Sequence, residues 1–597
     1  MWLACFSVSI GIVAFVAIVS AIVGRTKTAK KHKFSVFKAV FASVFVATVV
    51  MFLPIHASSA GDGVSGFWQL IALSFFNSMQ VFSIDCGFDL VQDAMQNCNP
   101  EWLDSAYQVW AATIFVVAPI LTFGFVLSLF KNLSAAVKYI CVYFKDVYVF
   151  SELNQRSLAL ASDIKSRNKK AQIVFTDVFE SNEEEAYELA EEARKIDAIC
   201  FKKDILVVNF KRHSPKRAIY FFAIGTNETE NLNQSLKLIE SYKNRENTHV
   251  YVFSIKIESE LLLNCLDKGK VKVRRVNEVL SLVNRVLYDN GDMIFKSARE
   301  MPDGSKRISA VVIGLGNHGT EMVKALTWFG QMDGYSLKIN AFDRNPLAEK
   351  KFIALAPELM SPEYNGVIVE GEAQYEISVR GDIDVETVTF AEEIAKIDDA
   401  TYVLVALGND DININTAVTL RMYFERMKIH PIIQAIVYNT QQKKALDGLK
   451  NYRGQVYDID FIGDMESSYT EDVIIDSELE DAALQRHLKW GTEEEFWTYE
   501  YNYRSSMASA IHMKARIACG IPGADKREDE LTEEERDIIE TLEHRRWNAY
   551  MRAEGYVYSK SKDKASRNDL AKMHHNLVDF SSLGDEDKRK DSSVGTK

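Results

Sequence analysis

Four residues between positions 307 and 343 have the types and spacing of a phosphate site: Gly314, Gly316 and Gly319, within Gly314-Leu315-Gly316-Asn317-His318-Gly319, and Asp343 further on. In a G-x-G-x-x-G turn the first glycine allows the tight bend and the second lets backbone approach a pyrophosphate. The third lets the following helix pack closely on the preceding strand. The N–H groups opening that helix face the phosphates. An acid at the end of the next strand, about twenty residues on, is placed to bind a ribose hydroxyl. Asn317 and His318 lie inside the turn; His318 either polarises a phosphate or is a solvated imidazole.

These residues require a strand over 308–313, a helix after the turn, and a second strand ending at Asp343. A further strand over 402–407 runs into Gly408-Asn409-Asp410-Asp411 and a helix from 414, which puts Gly408 and Asn409 at the same end of the sheet. The same order occurs earlier in the chain. A strand at 146–150, a helix at 151–167 and a strand at 171–176 lead to Asp177, and further strands fit 205–209, 218–224 and 249–254, with a helix over 230–243. Set against the three glycines, this copy has Ser151, Leu153 and Arg156, while Asn154 matches Asn317 and Gly225-Thr226-Asn227-Glu228 matches the run from Gly408. The chain thus contains a divergent duplication of a Rossmann-type βαβ fold, over 145–300 and 305–477. Leu153 leaves little room for a phosphate, so the first copy is degenerate; Arg156 either contacts an anion or lies on the surface.

Apolar residues are concentrated in the first 130 positions. Stretches 1–23, 36–55 and 109–130 are long enough to cross a bilayer. Arg25, Lys27, Lys30, Lys31 and Lys33 form a basic loop that the positive-inside rule assigns to the cytoplasm, which leaves the N-terminus outside. Residues 66–90 are read as a re-entrant or interfacial helix, because a fourth crossing would carry the nucleotide-type folds outside. A re-entrant segment would suggest a pore. No T-V-G-Y-G filter is present. Cys86 and Cys98 fall on the outer side, as a disulfide or as two free thiols. The formal charge of −13 argues against a nucleic-acid polymer as partner, and seven cysteines without a C-x-x-C pair give no zinc or thioredoxin signature.

From residue 478 the chain becomes helical and aromatic. Thr532 and Glu535 form a capping box at the start of a helix, and Gly520-Ile521-Pro522 ends the one before it. Glu543, His544, Trp547, Tyr556, Lys572, His574 and Phe580 combine aromatic faces with charged donors, a set that either stacks a base and holds phosphates or forms a small core. His574 and His575 are adjacent and cannot both face one metal ion from a regular helix. No metal site and no catalytic acid–base set is expected.

Paired Rossmann folds behind a membrane segment resemble the RCK, or TrkA-N, domains that form gating rings below potassium channels and transporters. The run Leu542-Glu543-His544-Arg545-Arg546-Trp547, with Gly555-Tyr556, Lys572-Met573-His574 and Leu577-Val578-Asp579-Phe580, resembles the RyR repeat named for ryanodine receptors. His575 and Asp579 stand where that family usually has proline. The resemblances imply an α-helical membrane region (1–135), tandem Rossmann-like RCK domains and a small, mainly α RyR domain (478–597). The implied ligand is a nucleotide, with NAD, an ADP-ribose derivative, ATP, ADP or a cyclic nucleotide as candidates. Gly314, Gly316, Asn317, His318, Gly319 and Asp343 would hold it, with Gly408 and Asn409 near its adenine or ribose end.

Similar combinations in prokaryotes imply a multi-pass inner-membrane effector or ion channel, with lipid as its surroundings and its C-terminal domains cytoplasmic. Paired Rossmann units favour a symmetric ring, expected as a homotetramer because a pore needs closed symmetry, and the resemblance implies gating by a nucleotide second messenger made during phage infection. The alternatives are a regulator of potassium transport and a membrane-anchored NAD-dependent enzyme.

Overall fold

In the computed structural model, residues 1–24, 33–57, 60–61, 63–83, 87–95, 101–178, 184–366, 375–447, 451–452, 455–456, 458–560 and 570–596 are described. The basic loop from Arg25 to Lys31 and both Cys86 and Cys98 lie outside them. The chain divides into two compact units, Met1–Ile140 and Cys141–Lys597.

The first unit is built from α1 (Trp2–Gly24), α2 (Lys33–His56), α3 (Gly63–Phe82), α4 (Phe88–Met95) and α5 (Glu101–Cys141). Three stretches, Trp2–Val19, Ala39–His56 and Trp102–Phe123, are long and apolar enough to cross a membrane. Several of their polar side chains find partners within the bundle, as a hydrocarbon surround would require. Ser9 Oγ donates to Ala47 O (2.9 Å), Trp110 Nε1 donates to Ser9 Oγ (2.9 Å), and the Tyr107 hydroxyl donates to Met51 O. Phe15, Val109, Val116, Ile120 and Phe123 point outward and are exposed, an arrangement that lipid favours and water does not. Of the segment expected to be re-entrant or interfacial, residues 66–82 lie in α3, whose outer side is apolar (Phe67, Trp68, Phe76, Met79), and Phe88 begins α4.

The second unit starts with a parallel sheet of β1 (Val147–Phe150), β2 (Gln172–Phe175), β3 (Ile199–Cys200), β4 (Ile219–Ala223), β5 (Thr248–Phe253) and β6 (Lys272–Val276), in the order β3-β2-β1-β4-β5-β6. Its helices include α6 (Gln155–Arg167), α7 (Glu228–Tyr242) and α8 (Glu278–Lys296). The second sheet repeats this arrangement with β7 (Lys306–Ile313), β8 (Tyr335–Phe342), β9 (Tyr375–Arg380), β10 (Tyr402–Val405), β11 (Ile432–Ile436) and β12 (Ile459–Ile462). Its order is β9-β8-β7-β10-β11-β12, with Arg299–Glu300 pairing antiparallel with the start of β7. Helices α9 (Asn317–Phe329) and α10 (Asp410–Arg426) follow β7 and β10. Both sheets have the doubly wound Rossmann order, which opens a crevice where the strand order reverses, between β1 and β4 and between β7 and β10.

The strand expected over 205–209 does not form. Asp204 accepts the Leu206 N–H (2.7 Å) through its side chain and the Val207 N–H (2.9 Å) through its carbonyl, which folds the apolar run into turns, and Ile199–Cys200 supplies β3 instead.

Matching asparagines build both folds. Asn227 caps α7 and Asn409 caps α10. Asn231 Nδ2 donates to Phe253 O (3.0 Å) while its Oδ1 accepts from Gly225 N (2.8 Å). Asn413 does the same with Ile436 O (2.8 Å) and Leu407 N (2.7 Å).

The C-terminal helices α11 (Glu478–His487), α12 (Glu500–Cys519), α13 (Glu533–Ala553) and α14 (Asp585–Gly595) are largely packed on the second fold. Ile511, Leu542, Tyr550 and Met551 share one core with Val323, Leu326 and Trp328 of α9. Thr532 and Glu535 form the expected capping box, and Gly520 ends α12 in a left-handed conformation (φ 70°).

Each buried asparagine joins two loops, and leaving one side of such a pair buried and unpaired costs about 1–3 kcal/mol per group. Asn413→Leu and Asn231→Leu should therefore each lower the melting temperature, and hydrogen exchange should show lost protection at Leu407 and Gly225 respectively.

Candidate functional site

The turn after β7 forms as the glycine spacing requires. Gly314 has φ 91°, and a Cβ there would lie 2.6 Å from Ala406 O. A Cβ on Gly319 would lie 1.8 Å from Gly314 O, so only glycine brings α9 this close to the strand. Gly316 differs: a Cβ there meets nothing within 4 Å. It caps α9 without a side-chain hydrogen bond, so the first N–H groups of the helix, which have no intrahelical partner, open onto a cavity of about 590 Å³.

Gly314, Gly316, Asn317, His318, Asp343, Gly408 and Asn409 all line this cavity; Gly319 acts behind it, through packing. Asp343 is half-buried, with Oδ2 accepting from Leu315 N (2.7 Å) and Oδ1 from Asn345 N (2.7 Å), so its carboxylate is fixed to the turn and keeps a lone pair on each oxygen for a ribose diol. Asn409 uses its side-chain oxygen to cap α10, accepting from Ile412 N (3.0 Å). Sequence reading missed Tyr438, Arg344, Ile383 and Val385, which also line the cavity, as do Asp384 and Glu386. Tyr438 lies just past β11, at the carboxyl end of the sheet where ligands bind in such folds, and that rule would have found it.

His318 is half-buried, with Nδ1 3.4 Å from the Tyr438 hydroxyl. Burial lowers its pKa to about 4 and raises that of Tyr438 to about 12, Asp410 adding to the rise. Both are neutral at physiological pH.

The corresponding turn of the first fold is closed by its own side chains. Asn154 caps α6 by accepting from Ser157 N (2.9 Å), Asn154 Nδ2 donates to Ile224 O (2.9 Å), and Glu152 accepts from Thr226 N (3.1 Å). Arg156, expected either to contact an anion or to lie on the surface, is half-buried, paired with Glu278 (3.0 Å) and donating to Gly225 O (3.1 Å). The N–H groups that bind phosphate in a working turn are here partly occupied by asparagine.

The C-terminal set divides. His544, Trp547, His574 and Phe580 converge: His544 stacks on Trp547 (5.9 Å between ring centroids), Trp547 meets His574 edge-on (4.9 Å), and Phe580 lies 5.9 Å from His544. The His544 ring is tied to Asp591 (3.2 Å) and to Val578 O (2.8 Å). Glu543 lies apart from this group, 2% exposed between Arg516 and Arg546. Burial opposes its charge, but the two guanidiniums outweigh that and hold its carboxyl well below the usual range. Lys572 Nζ donates to Glu554 O (2.6 Å), and buried Tyr556 packs against Tyr501 (5.9 Å). None of these seven residues lines the cavity at the glycine turn. Compared with known proteins, the chain matches no family model and no curated protein.

Two outcomes test these environments. Because the folded pKa of His318 lies below the ordinary 6.5, its contribution is complete above pH 6.5 and is lost as pH falls towards 4. Over that window wild-type stability should fall by about 2–3 kcal/mol more than that of His318→Gln, read from melting curves at stepped pH. Glu543→Ala leaves two buried guanidiniums facing each other and should destabilise by about 3–5 kcal/mol, seen as a large drop in melting temperature with or without nucleotide.

Proposed function

We propose that this chain is a membrane-embedded, nucleotide-responsive effector of the channel type, with its sensor in the second Rossmann fold. The single observation that carries the reading is the contrast between the two turns. One is filled by its own asparagine, while the other keeps a helix N-terminus open to a 590 Å³ cavity beside a fixed carboxylate. A turn without a ligand gains nothing from exposed helix N–H groups, and the first copy shows how readily such a turn closes. The apolar helices of the first unit support a membrane setting, and α5 continues in sequence from its apolar stretch to Cys141, shortly before β1.

The ligand class follows from the lining. Asp343 suits an unmodified ribose diol. Ile383 and Val385 offer apolar contacts to a base. The RCK and RyR resemblances agree with gating by a nucleotide signal, assembly of four chains around a pore, and use in anti-phage defence. For the enzymatic alternative, His318 and Tyr438, which meet at the end of the crevice, are one candidate acid–base pair. Efficient proton transfer needs a pKa near the working pH, whereas burial moves these two in opposite directions away from it.

Gly316→Trp provides a clean test, because the open space at Gly316 lets the fold accept a side chain that fills the phosphate site. A panel of NAD, ADP-ribose, ATP, ADP and cyclic nucleotides should include a compound that stabilises detergent-purified protein, by about 2.7 kcal/mol at a hundredfold excess over Kd. The shift should vanish in Gly316→Trp and persist in Trp547→Ala. The same compound should switch ion flux in proteoliposomes. A shift lost only in Trp547→Ala would move the sensor to the C-terminal helices.

A further inference from the structure

The glycine-turn cavity does not end at the turn. Asn317, His318 and Tyr438 also line a second cavity of about 340 Å³, so the two spaces adjoin across the His318–Tyr438 pair. The far walls of this second cavity come from elsewhere: Val279 and Leu282 of α8, Met465 and Tyr469 beyond β12, and Arg156 at the closed turn of the first fold. Tyr469 and its neighbours are packed into the first fold's core, beside Phe253. The second cavity therefore lies between the two Rossmann folds.

Its chemistry differs from that of the first. The walls are mainly apolar, and the charged groups at the edge are already engaged. Arg156 is paired with Glu278 (3.0 Å), which also accepts from the Tyr469 hydroxyl, and the Arg285 guanidinium donates to Ser467 O. Glu228 accepts from Ile255 N (2.9 Å) and Ser254 Oγ (2.8 Å). Among the described residues, both cations lining this space, Arg156 and Arg285, already have partners, whereas a flat, uncharged heterocycle on a ribose would find apolar contact and hydroxyl partners.

We infer that the ligand of the second fold is a dinucleoside diphosphate. One nucleoside lies at Asp343, the diphosphate lies over Gly316, and the second nucleoside passes the His318–Tyr438 pair into the cavity between the folds. The first fold, with its own phosphate turn closed, then serves as the distal wall of its neighbour's site. This inference rests on the reading of the glycine turn as the sensor and adds the class of ligand and a role for the degenerate copy.

The test is equilibrium binding to the full-length, detergent-purified protein by calorimetry, with NAD, diadenosine diphosphate and ADP as probes. At least one dinucleotide should bind tenfold or more tightly than ADP. Leu282→Trp, which fills only the second cavity, should remove that advantage and leave ADP affinity within about twofold, ADP binding also reporting that the variant is folded. Met465→Trp fills the same space from the other fold's side and should act alike if Leu282→Trp does not fold. Equal affinity for ADP and both dinucleotides, or a variant that weakens ADP as much as the dinucleotide, would overturn the inference while leaving the glycine-turn sensor intact. Failure of all three probes to bind wild type would overturn the inference, and undiminished binding by Gly316→Trp would overturn the sensor reading and the inference together.

Discussion

The close approach of α9 to β7, which only glycine at 319 permits after the left-handed turn at Gly314, sets the position of nearly everything around it in the second unit. It turns the helix N-terminus towards the crevice at the sheet's switch point, and it fixes where the rest of α9 lies. The other side of that helix is the surface on which the C-terminal helices are built. Trp328 meets Tyr550 (6.3 Å between ring centroids), and Phe329 meets His512 (6.4 Å), whose Nε2 lies 2.7 Å from Gln331 O. Lys324 lies 3.6 Å from Glu554, which Arg504 also pairs with. Burial disfavours the Glu554 carboxylate, yet Arg504, Lys324 and Lys572 outweigh it and hold the pKa at about 2. One helix is thus both the wall of the phosphate site and the anchor of the C-terminal part.

The two Rossmann folds show how a duplicated site diverges without losing its scaffold. The parts that hold loops to strands are kept in both: the capping asparagines, the buried Asn231 and Asn413, and the acids Glu228 and Asp410, which accept from Ile255 N (2.9 Å) and Tyr438 N (3.1 Å). What changed is the turn. Phe222 pairs with Phe150 and Val405 with Ile313, yet the caps that follow are Asn227 and Asn409, so the first fold has one residue more between strand and helix. A one-to-one match of Gly225 with Gly408 holds for the strands and slips by one at the helices.

The glycine turn was legible in the sequence because its demands are local: a left-handed residue, a missing Cβ and an acid at a set distance. The capping box at Thr532 and Glu535 was legible for the same reason. The run at 205–209 was misleading because its apolar residues suit a strand, while the deciding contacts come from Asp204, whose side chain and carbonyl both take backbone N–H groups. The C-terminal set was ambiguous for a deeper reason. Glu543, His544 and Trp547 are near neighbours in the chain and have the composition of a ligand site, but successive residues on a helix face different ways. Glu543 turns into a cluster of buried arginines, while His544 and Trp547 turn towards His574 and Phe580. Only packing separates these roles. Tyr438 escaped notice because it is far from the turn in sequence and comes to His318 only through the sheet order.

A ligand changes a protein's state only to the extent that it binds one state better than another. A nucleotide held wholly within the second fold would touch Gly316, Asp343 and Gly408, which one rigid sheet carries together, and those contacts would be the same however the two folds were arranged. A ligand that also touches Val279, Leu282 or Met465 is different, because these residues are positioned by α8, which follows β6 and packs on the second fold, and by the segment after β12, which packs on the first. Its affinity then depends on how the first fold lies against the second, and the binding energy is available to select that arrangement. The first fold needs no phosphate site of its own to take part. It needs only to form one wall of a cavity whose other wall binds, and closure of its own turn by Asn154 and Arg156 makes that wall fixed and free of competing anion sites.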